Sequence, residues 1–139
     1  MSILSWISLF DTLSSTELEN LALFCQERFI KSWEILFKEW DEAGAMYVVK
    51  LWKLKAYKER SDGEMLLWYI QNWEFVGEMS FFDGQDVPKK RMATVKALDD
   101  TQLIVIMNYS IVDLAAKRKD IYDKIVDIIK ERKYKNALK

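Results

Sequence analysis

The spacing of hydrophobic residues changes twice along the chain. An apolar run at residues 2–10 predicts a short helix, and Ser14-Ser15-Thr16-Glu17 is a capping box that predicts a second helix through about Phe24. Apolar and polar residues then alternate with a period of two, which indicates β-strands. From about Tyr109 the spacing of a helix returns. This order predicts a mainly β domain with helices at both ends.

The alternating region divides into short strands separated by turn signals. Ser61-Asp62-Gly63-Glu64 predicts a hairpin turn, and Asp99-Asp100 predicts a second tight turn. Short strands that recur every 8–12 residues or so are typical of a β-sandwich or barrel. The predicted strands cover residues 34–38, 45–49, 53–58, 65–70, 92–98 and 102–106.

Two helices are predicted after the strands, from about Tyr109 to Lys117 and from about Asp120 to Asn136, with an elbow at residues 118–120. The second carries a stripe of isoleucines on one face. The stripe can pack on the strands or meet a second copy, so a homodimer or a partner protein at these helices stays open. Residues 117–139 contain nine Lys/Arg and four Asp/Glu. This excess of positive charge is consistent with binding to an acidic partner or with a helix face exposed to solvent.

Length and composition indicate a single folded domain over residues 1–139. Half of the residues are hydrophobic and the net charge is −1, so no strong attraction to nucleic acid or membrane is expected. No apolar run approaches the length of about 18 residues that a membrane span needs. The single cysteine, Cys25, ends an apolar helix; it cannot form an intramolecular disulfide, and we expect a packing role in a reducing cytoplasm.

The absence of histidine limits the chemistry of the chain. Ser–His and Cys–His catalysis and every His-based metal site are excluded. No carboxylates cluster on one predicted strand either. We therefore expect a protein that is not an enzyme, holds no metal and requires no cofactor.

The most informative motif is Phe75-Val76-Gly77-Glu78-Met79-Ser80, followed at some distance by Arg91-Met92-Ala93-Thr94-Val95. The Glu78 carboxylate can accept hydrogen bonds from the hydroxyls of a sugar. Arg91 offers a planar, permanently charged fork to a phosphate. Gly77 lets the backbone approach closely and direct N–H groups at an anion. Together these residues predict a site for a ligand with a diol edge and a phosphate.

These segments resemble the cyclic nucleotide-binding domain shared by catabolite-activator-type regulators, kinase regulatory subunits and gated channels. Leu9-Phe10 with Leu13-Ser14-Ser15 resembles the first helix of the family, residues 31–49 resemble its first strands, and residues 75–94 resemble its phosphate-binding cassette. The resemblance implies a β-roll of the jelly-roll type over residues 26–107. It also implies N-terminal helices in residues 1–25 and two C-terminal helices in residues 108–139.

The resemblance also implies roles for individual residues. Glu78 would hold the ribose 2′-hydroxyl, Arg91 would hold the cyclic phosphate, and backbone N–H groups near Ser80 and Met92 would complete the anion site. The last helix would act as a lid over the base and pass the signal on. The ligand would be cAMP or cGMP. The candidate ligand-binding residues are Gly77, Glu78, Met79, Ser80, Arg91, Met92 and Ala93.

Two departures from the family pattern favour an alternative. The segment between Glu78 and Arg91 is longer than the usual cassette, so Lys89 or Lys90 could supply the charge instead of Arg91. Met92 stands where the family usually has a small or hydroxyl residue. The alternative is a ligand-free β-roll that binds a protein through its C-terminal helices. In either case no helix-turn-helix segment follows the lid helix, and we expect no direct DNA binding.

Four tryptophans, Trp33, Trp40, Trp52 and Trp73, stand where the family typically has turn glycines. Such turns often need a positive φ, which costs a bulky residue about 1–2 kcal/mol each. The chain contains only four glycines, whereas average usage would give about ten. We hypothesise that the natural residues are glycines encoded by a codon that was translated as tryptophan. The alternative is natural drift, with turns adapted to tryptophan.

Overall fold

A computed structural model describes residues 7–77 and 90–137, and the side chains of this part as far as Arg132. The chain begins with a 3-10 turn at Ser8–Phe10 and helix α1 at Ser15–Ala22. Helices α2 (Asn108–Lys117) and α3 (Lys119–Ala137) follow the strands. The strands are β1 (Cys25–Ile30), β2 (Ile35–Phe37), β3 (Ala45–Leu51), β4 (Leu54–Arg60), β5 (Gly63–Ile70), β6 (Phe75–Val76), β7 (Thr94–Ala97) and β8 (Thr101–Met107).

The strands form two antiparallel four-stranded sheets, with the orders β1-β8-β3-β6 and β2-β7-β4-β5. Their facing sides bury one hydrophobic core, to which the first sheet contributes Val49 and Leu103 and the second contributes Leu54, Ala56 and Val95. Alternating side chains fill the space between the sheets because neighbouring residues of a strand point to opposite faces. The prediction of a mainly β roll with flanking helices is confirmed.

The helices cover the other face of the first sheet. Ile121 and Ile125 of α3 are completely buried and belong to the same core cluster as Met46 of β3 and Ile106 of β8. The isoleucine stripe of the last helix therefore packs on the roll within the same chain. A second copy of the chain would have to use a different face of α3.

The N-terminal capping box is present as predicted. The Ser14 hydroxyl accepts a hydrogen bond from the backbone N–H of Glu17 at 3.2 Å, and the Glu17 carboxylate accepts one from the N–H of Ser14 at 3.0 Å. Helix α1 ends at Ala22, two residues before the predicted end, because the chain enters β1 at Cys25. Of the helix predicted over residues 2–10, the described part contains only the 3-10 turn at Ser8–Phe10.

Two strands were not predicted, for different reasons. Strand β1 lies at the edge of the first sheet, and the four residues from Gln26 to Phe29 are all exposed, so no alternation marks it. Strand β6 has only two residues, which is too short for a periodic pattern. Within residues 7–77 and 90–137, no helix is both long and apolar enough to cross a bilayer.

The four turn tryptophans all have a left-handed backbone. Their φ angles are 70° at Trp33, 76° at Trp40, 79° at Trp52 and 67° at Trp73, and they are the only non-glycine residues with positive φ among those described. The rings of Trp33, Trp40 and Trp52 are 65%, 72% and 60% exposed. Burial of these three rings therefore contributes little free energy to offset the cost of the left-handed backbone.

Arg118 joins the elbow between α2 and α3 to the N-terminal part of the chain. Its Nη1 group donates to both carboxylate oxygens of Glu17, at 2.7 and 2.8 Å. Its Nε group donates to Asp120 at 3.1 Å, and its Nη2 group donates to the carbonyl of Thr12 at 3.2 Å. Lys124 of α3 pairs with Asp11 at 2.7 Å. The start of α3 is therefore fixed to the N-terminal helix by a network of charges.

This network predicts acid sensitivity. The Ser14 N–H and the Arg118 guanidinium lower the pKa of Glu17 below its usual 4.5. The ionised carboxylate therefore stabilises the folded state above about pH 4.5, and this contribution is lost as the pH falls through the lowered pKa. We expect Glu17→Gln to lower the melting temperature at pH 7 and to flatten its decline as the pH falls below about 4.5. Thermal unfolding at a series of pH values measures both effects.

Glu19→Gln is the matched control for this experiment, because Glu19 is exposed on the same helix. It should leave both the melting temperature at pH 7 and its decline in acid close to those of the parent protein. Equal behaviour of the two variants would show that the Glu17–Arg118 pair does not contribute to stability.

Candidate functional site

A pocket lies where the β-roll meets the C-terminal part of α3, and it contains four of the predicted site residues. Gly77, Arg91, Met92 and Ala93 all line it. Glu78, Met79 and Ser80 lie outside the described residues. The other lining residues are Phe37, Ala56, Trp68, Val76, Val95 and Arg132.

Arg91 is the charged residue near the end of the predicted cassette, and it is only 4% exposed. Its Nη1 group donates to the carbonyl of Gly77 at 3.1 Å, and its Nη2 group donates to the carbonyl of Ala45 at 2.8 Å. The guanidinium carbon lies 4.1 Å from the centre of the Phe37 ring and 5.7 Å from that of Tyr47. Hydrogen bonds and cation–π contacts thus hold the side chain in one position.

The long segment before Arg91 does not displace it from Gly77. Lys90, the neighbouring cation, is instead about half exposed and pairs with Glu42 at 3.6 Å. Among the residues described between Gly77 and β7, Arg91 is therefore the one that brings positive charge into the pocket. Lys89, the other alternative, lies outside the described residues.

The position of the Arg91 side chain requires a glycine at residue 77. Its φ is +96°, and a Cβ atom on this residue would lie 2.6 Å from Arg91 Nη1 and 3.0 Å from the carbonyl oxygen of Ala45. Any side chain would therefore push the guanidinium away or move the backbone of β3. The prediction that glycine allows a close approach at this point agrees with this geometry, although the group that approaches is the Arg91 guanidinium.

Met92 and Ala93 form a bend that leads into β7. The strand predicted from residue 92 begins at Thr94, after this bend, and residues 92 and 93 line the pocket. The Thr94 hydroxyl is not part of the lining; it accepts a hydrogen bond from the backbone N–H of Glu39 at 3.0 Å. Thr94, which carries the hydroxyl nearest to Arg91 in sequence, thus stabilises the turn before Trp40.

Sequence reasoning did not identify the residues on the lid side of the pocket. The guanidinium carbon of Arg132, on α3, lies 5.4 Å from the ring of Trp68 and 5.5 Å from that of Phe75. Arg132 continues the stripe formed by Ile125, Ile128 and Ile129, so extending the helical spacing past the isoleucines would have found it. Trp68 carries no comparable signal, because it lies in an unbroken run of apolar and aromatic residues at 65–70.

The pocket is small in this structure. Its internal free volume is about 30 Å³, which suffices for about one or two water molecules. Pockets for small ligands usually measure about 300–1,000 Å³. A nucleotide could bind only if the residues around the pocket moved apart.

Cys25 shows no sign of a catalytic role. Its thiol donates to the carbonyl of Leu21 at 3.3 Å, and burial raises the pKa of the thiol to about 11. The thiol is therefore protonated at neutral pH and is a poor nucleophile. It packs at the edge of the core beneath the helices, in agreement with the expected packing role.

Several solved structures share this fold. The N-terminal domain of a transcriptional regulator from Streptomyces coelicolor A3(2) is 26% identical, with a TM-score of 0.71 over 98% of this chain and 95% of that one. The catabolite activator protein of Thermus thermophilus is 23% identical, with a TM-score of 0.76 over 94% of this chain and 60% of its own. The regulatory subunit of a cAMP-independent protein kinase A from Trypanosoma brucei is 17% identical, with a TM-score of 0.79 over 98% and 49%.

The chain thus spans about half to three fifths of the last two proteins, whose similarity shows the fold alone. No curated protein sequence matches the chain. A family model for the cyclic nucleotide-binding domain matches residues 27–118, which include every strand from β2 to β8 and the whole of α2. The chain belongs to the cyclic nucleotide-binding domain family.

Proposed function

We propose that this domain is a cytoplasmic sensor that binds cAMP or cGMP in the pocket at Gly77 and Arg91 and signals through movement of α3. The observation that carries the proposal is the buried guanidinium of Arg91 beside Gly77, Met92 and Ala93. A guanidinium surrounded by apolar side chains binds a phosphate strongly, because little water competes for its N–H groups.

Ligand binding would exchange one set of acceptors for another. The Nη groups of Arg91 donate to the carbonyls of Gly77 and Ala45, and an incoming cyclic phosphate would accept these hydrogen bonds instead. Hydrogen bonds from a guanidinium to a phosphate are charge-assisted and stronger than those to a neutral carbonyl. Glu78, which follows Gly77 directly, would accept hydrogen bonds from the ribose, as in the family that the chain resembles.

The signal would arise from the opening of α3. Because the pocket is too small for a nucleotide, binding would displace Arg132 and the end of α3 from Trp68 and Phe75. The start of the same helix is anchored to α1 through Arg118 and Glu17. A helix held at one end and displaced at the other changes its angle to the roll, and a ligand that binds one angle better shifts the population towards it.

Calorimetric titration tests this function directly. We expect wild-type protein to bind cAMP, cGMP or both with a Kd in the micromolar range. Arg91→Lys should weaken the binding by about tenfold or more, because an ammonium lacks the planar fork. Lys90→Ala removes an exposed cation next to the site and should change the affinity little. If neither nucleotide binds at millimolar concentration, or if Arg91→Lys binds as well as the parent, the domain is not a sensor of this kind.

One observation favours a second function, a ligand-free module that binds a protein through its C-terminal helices. Arg91 is already paired with two carbonyls and stacked on Phe37, and its pocket has room only for water. The regulatory subunit from Trypanosoma brucei that shares this fold belongs to a cAMP-independent protein kinase A. Cyclic nucleotides that leave the melting temperature unchanged would support this second function.

A further inference from the structure

Two aromatic rings contact the guanidinium of Arg91 from different sheets of the roll. Phe37 belongs to β2 in the second sheet, and Tyr47 belongs to β3 in the first. The guanidinium carbon lies 4.1 Å from the centre of the Phe37 ring and 5.7 Å from that of the Tyr47 ring. The centres of the two rings are 6.0 Å apart, and their planes are inclined by 31°. The three side chains therefore form one cluster that connects the two sheets.

The roll itself holds both rings in place. Phe37 is 9% exposed and belongs to the core between the sheets, and Tyr47 packs against the same core. In the strand register, Phe37 pairs with Val95 and Tyr47 pairs with Val76. The rings are thus attached to the strands at the two ends of the cassette.

The ring contacts of Arg91 differ from its hydrogen bonds in what happens when a ligand binds. In the proposed function, a phosphate replaces the carbonyls of Gly77 and Ala45 as the acceptor for the Nη groups. These carbonyls then no longer orient the side chain. A cation–π contact attracts the charged group as a whole and requires no acceptor atom. The two rings can therefore keep the guanidinium in place during this exchange.

We propose that Phe37 and Tyr47 are positioning residues that hold Arg91 in its phosphate-binding orientation, with Phe37 as the main contact. The inference rests on the proposed function, because it concerns how the same arginine meets the ligand. A guanidinium that is already oriented loses little conformational freedom when the phosphate binds, so the contact increases the affinity. Two residues outside the cassette thereby acquire a role in ligand binding.

Nuclear magnetic resonance of the full chain without ligand tests the positioning itself. The Nε–H signal of Arg91 is identified by its absence from the spectrum of Arg91→Lys. In the parent protein we expect its order parameter to be close to about 0.85, the value of rigid groups, and in Phe37→Leu to fall below about 0.6. Leucine keeps an apolar side chain at this position but has no π face for the cation. An unchanged order parameter would overturn the inference.

Calorimetric titration with cAMP and cGMP tests the consequence for binding. We expect Phe37→Leu to weaken the binding of whichever nucleotide the parent protein binds by about fivefold or more. Phe37→Tyr keeps the ring and should bind within about twofold of the parent. Tyr47→Leu should weaken the binding by about twofold, because the Tyr47 ring lies farther from the cation. This variant, at a half-buried ring, tests the same contact if Phe37→Leu does not fold.

Ile30→Val is the matched control for the loss of core packing. Ile30 is 2% exposed and belongs to the same core cluster as Phe37, but it does not line the pocket. The control should lower the melting temperature and leave both the Arg91 order parameter and the nucleotide affinity unchanged. Equal effects of Ile30→Val and Phe37→Leu on these two quantities would show that core packing alone explains them.

The two measurements separate this inference from the proposed function. If neither nucleotide binds the parent protein, the proposed function and the positioning role in it are both wrong. If a nucleotide binds the parent and Phe37→Leu equally well, the sensor function stands and the positioning role is overturned. A lower order parameter together with weaker binding in Phe37→Leu, and with neither change in Ile30→Val, is the result that supports the inference.

Discussion

Replacing Trp33, Trp40 and Trp52 together by glycine is expected to raise the free energy of unfolding by about 2–3 kcal/mol, an increase of roughly 10 °C in melting temperature. All three residues have φ angles of 70–79°. The strain relieved is about 1–2 kcal/mol per residue, and the greater freedom of glycine in the unfolded chain offsets about 0.5–1 kcal/mol of it. The exposed rings contribute little to the core.

Alanine at the same three positions is the matched control, because it removes the ring and keeps the Cβ atom that causes the strain. The glycine variant should melt well above the alanine variant. Trp68→Gly, at a residue with an ordinary backbone, should lower the melting temperature. A triple glycine variant no more stable than the triple alanine variant would show that these turns tolerate side chains without strain.

Trp73 needs a separate measurement. Its φ is 67°, but its ring is partly buried and packs against the core beneath the helices. Glycine there would relieve strain and also remove packing, so the net change should be smaller than at the exposed turns. The Trp73 ring is thus packed within the fold, as the alternative that these turns have adapted to tryptophan would require.

The origin of these residues can be tested in the source gene. If the four tryptophans are mistranslated glycines, their codons should be identical and should pair with a glycine tRNA. The mass of the corresponding peptides from the native source would then match glycine. Ordinary tryptophan codons, or peptides with the mass of tryptophan, would refute the hypothesis. The positive φ at all four positions is the structural observation that motivates the experiment.

Replacing Arg91 by alanine is expected to lower the free energy of unfolding by about 2–4 kcal/mol even without ligand. The carbonyls of Gly77 and Ala45 would lose their charged donors, and Phe37 would lose its cation–π partner. Arg91→Lys should cost less, because its ammonium can still reach one carbonyl. Chemical denaturation of the two variants measures both effects.

Lys90→Ala provides the comparison at the adjacent position, where the side chain is exposed and its ion pair with Glu42 is long. We expect a change within about 0.5 kcal/mol. An Arg91→Ala variant as stable as Lys90→Ala would mean that the guanidinium contributes nothing to the ligand-free fold. Its burial would then have to be explained by ligand binding alone.

The sequence predicted those elements whose two faces differ. In β4 the apolar residues Leu54 and Ala56 are buried whereas Lys55 and Lys58 are only partly buried, and in α3 the isoleucines lie on one face, so the periodicity of both elements is visible in the sequence. Residues 26–29 of strand β1 are exposed on both faces, and nothing in their pattern distinguishes them from a loop. Its place in the sheet depends on pairing with β8, whose residues lie about 75 positions later in the chain.

The candidate site was predictable only in part, for a similar reason. Gly77 and Arg91 could be found because each residue type has a specific chemical use in a cassette. Phe37 and Ala45, which hold the guanidinium through a ring and a carbonyl, come from distant strands and carry no motif. Carbonyl groups are present in every residue, so only the fold shows which of them accepts a hydrogen bond.

Backbone hydrogen bonds connect the turn at Trp40 to Arg91 of the cassette. The N–H group of Trp40 donates to the carbonyl of Arg91, and the N–H group of Arg91 donates to the carbonyl of Asp41, both at 2.8 Å. Effects of Trp40→Gly and Arg91→Lys should therefore be non-additive, and a double-mutant cycle would give their coupling energy. Nucleotide affinities measured with tryptophan at position 40 would then include the effect of the strained backbone of this turn on the cassette.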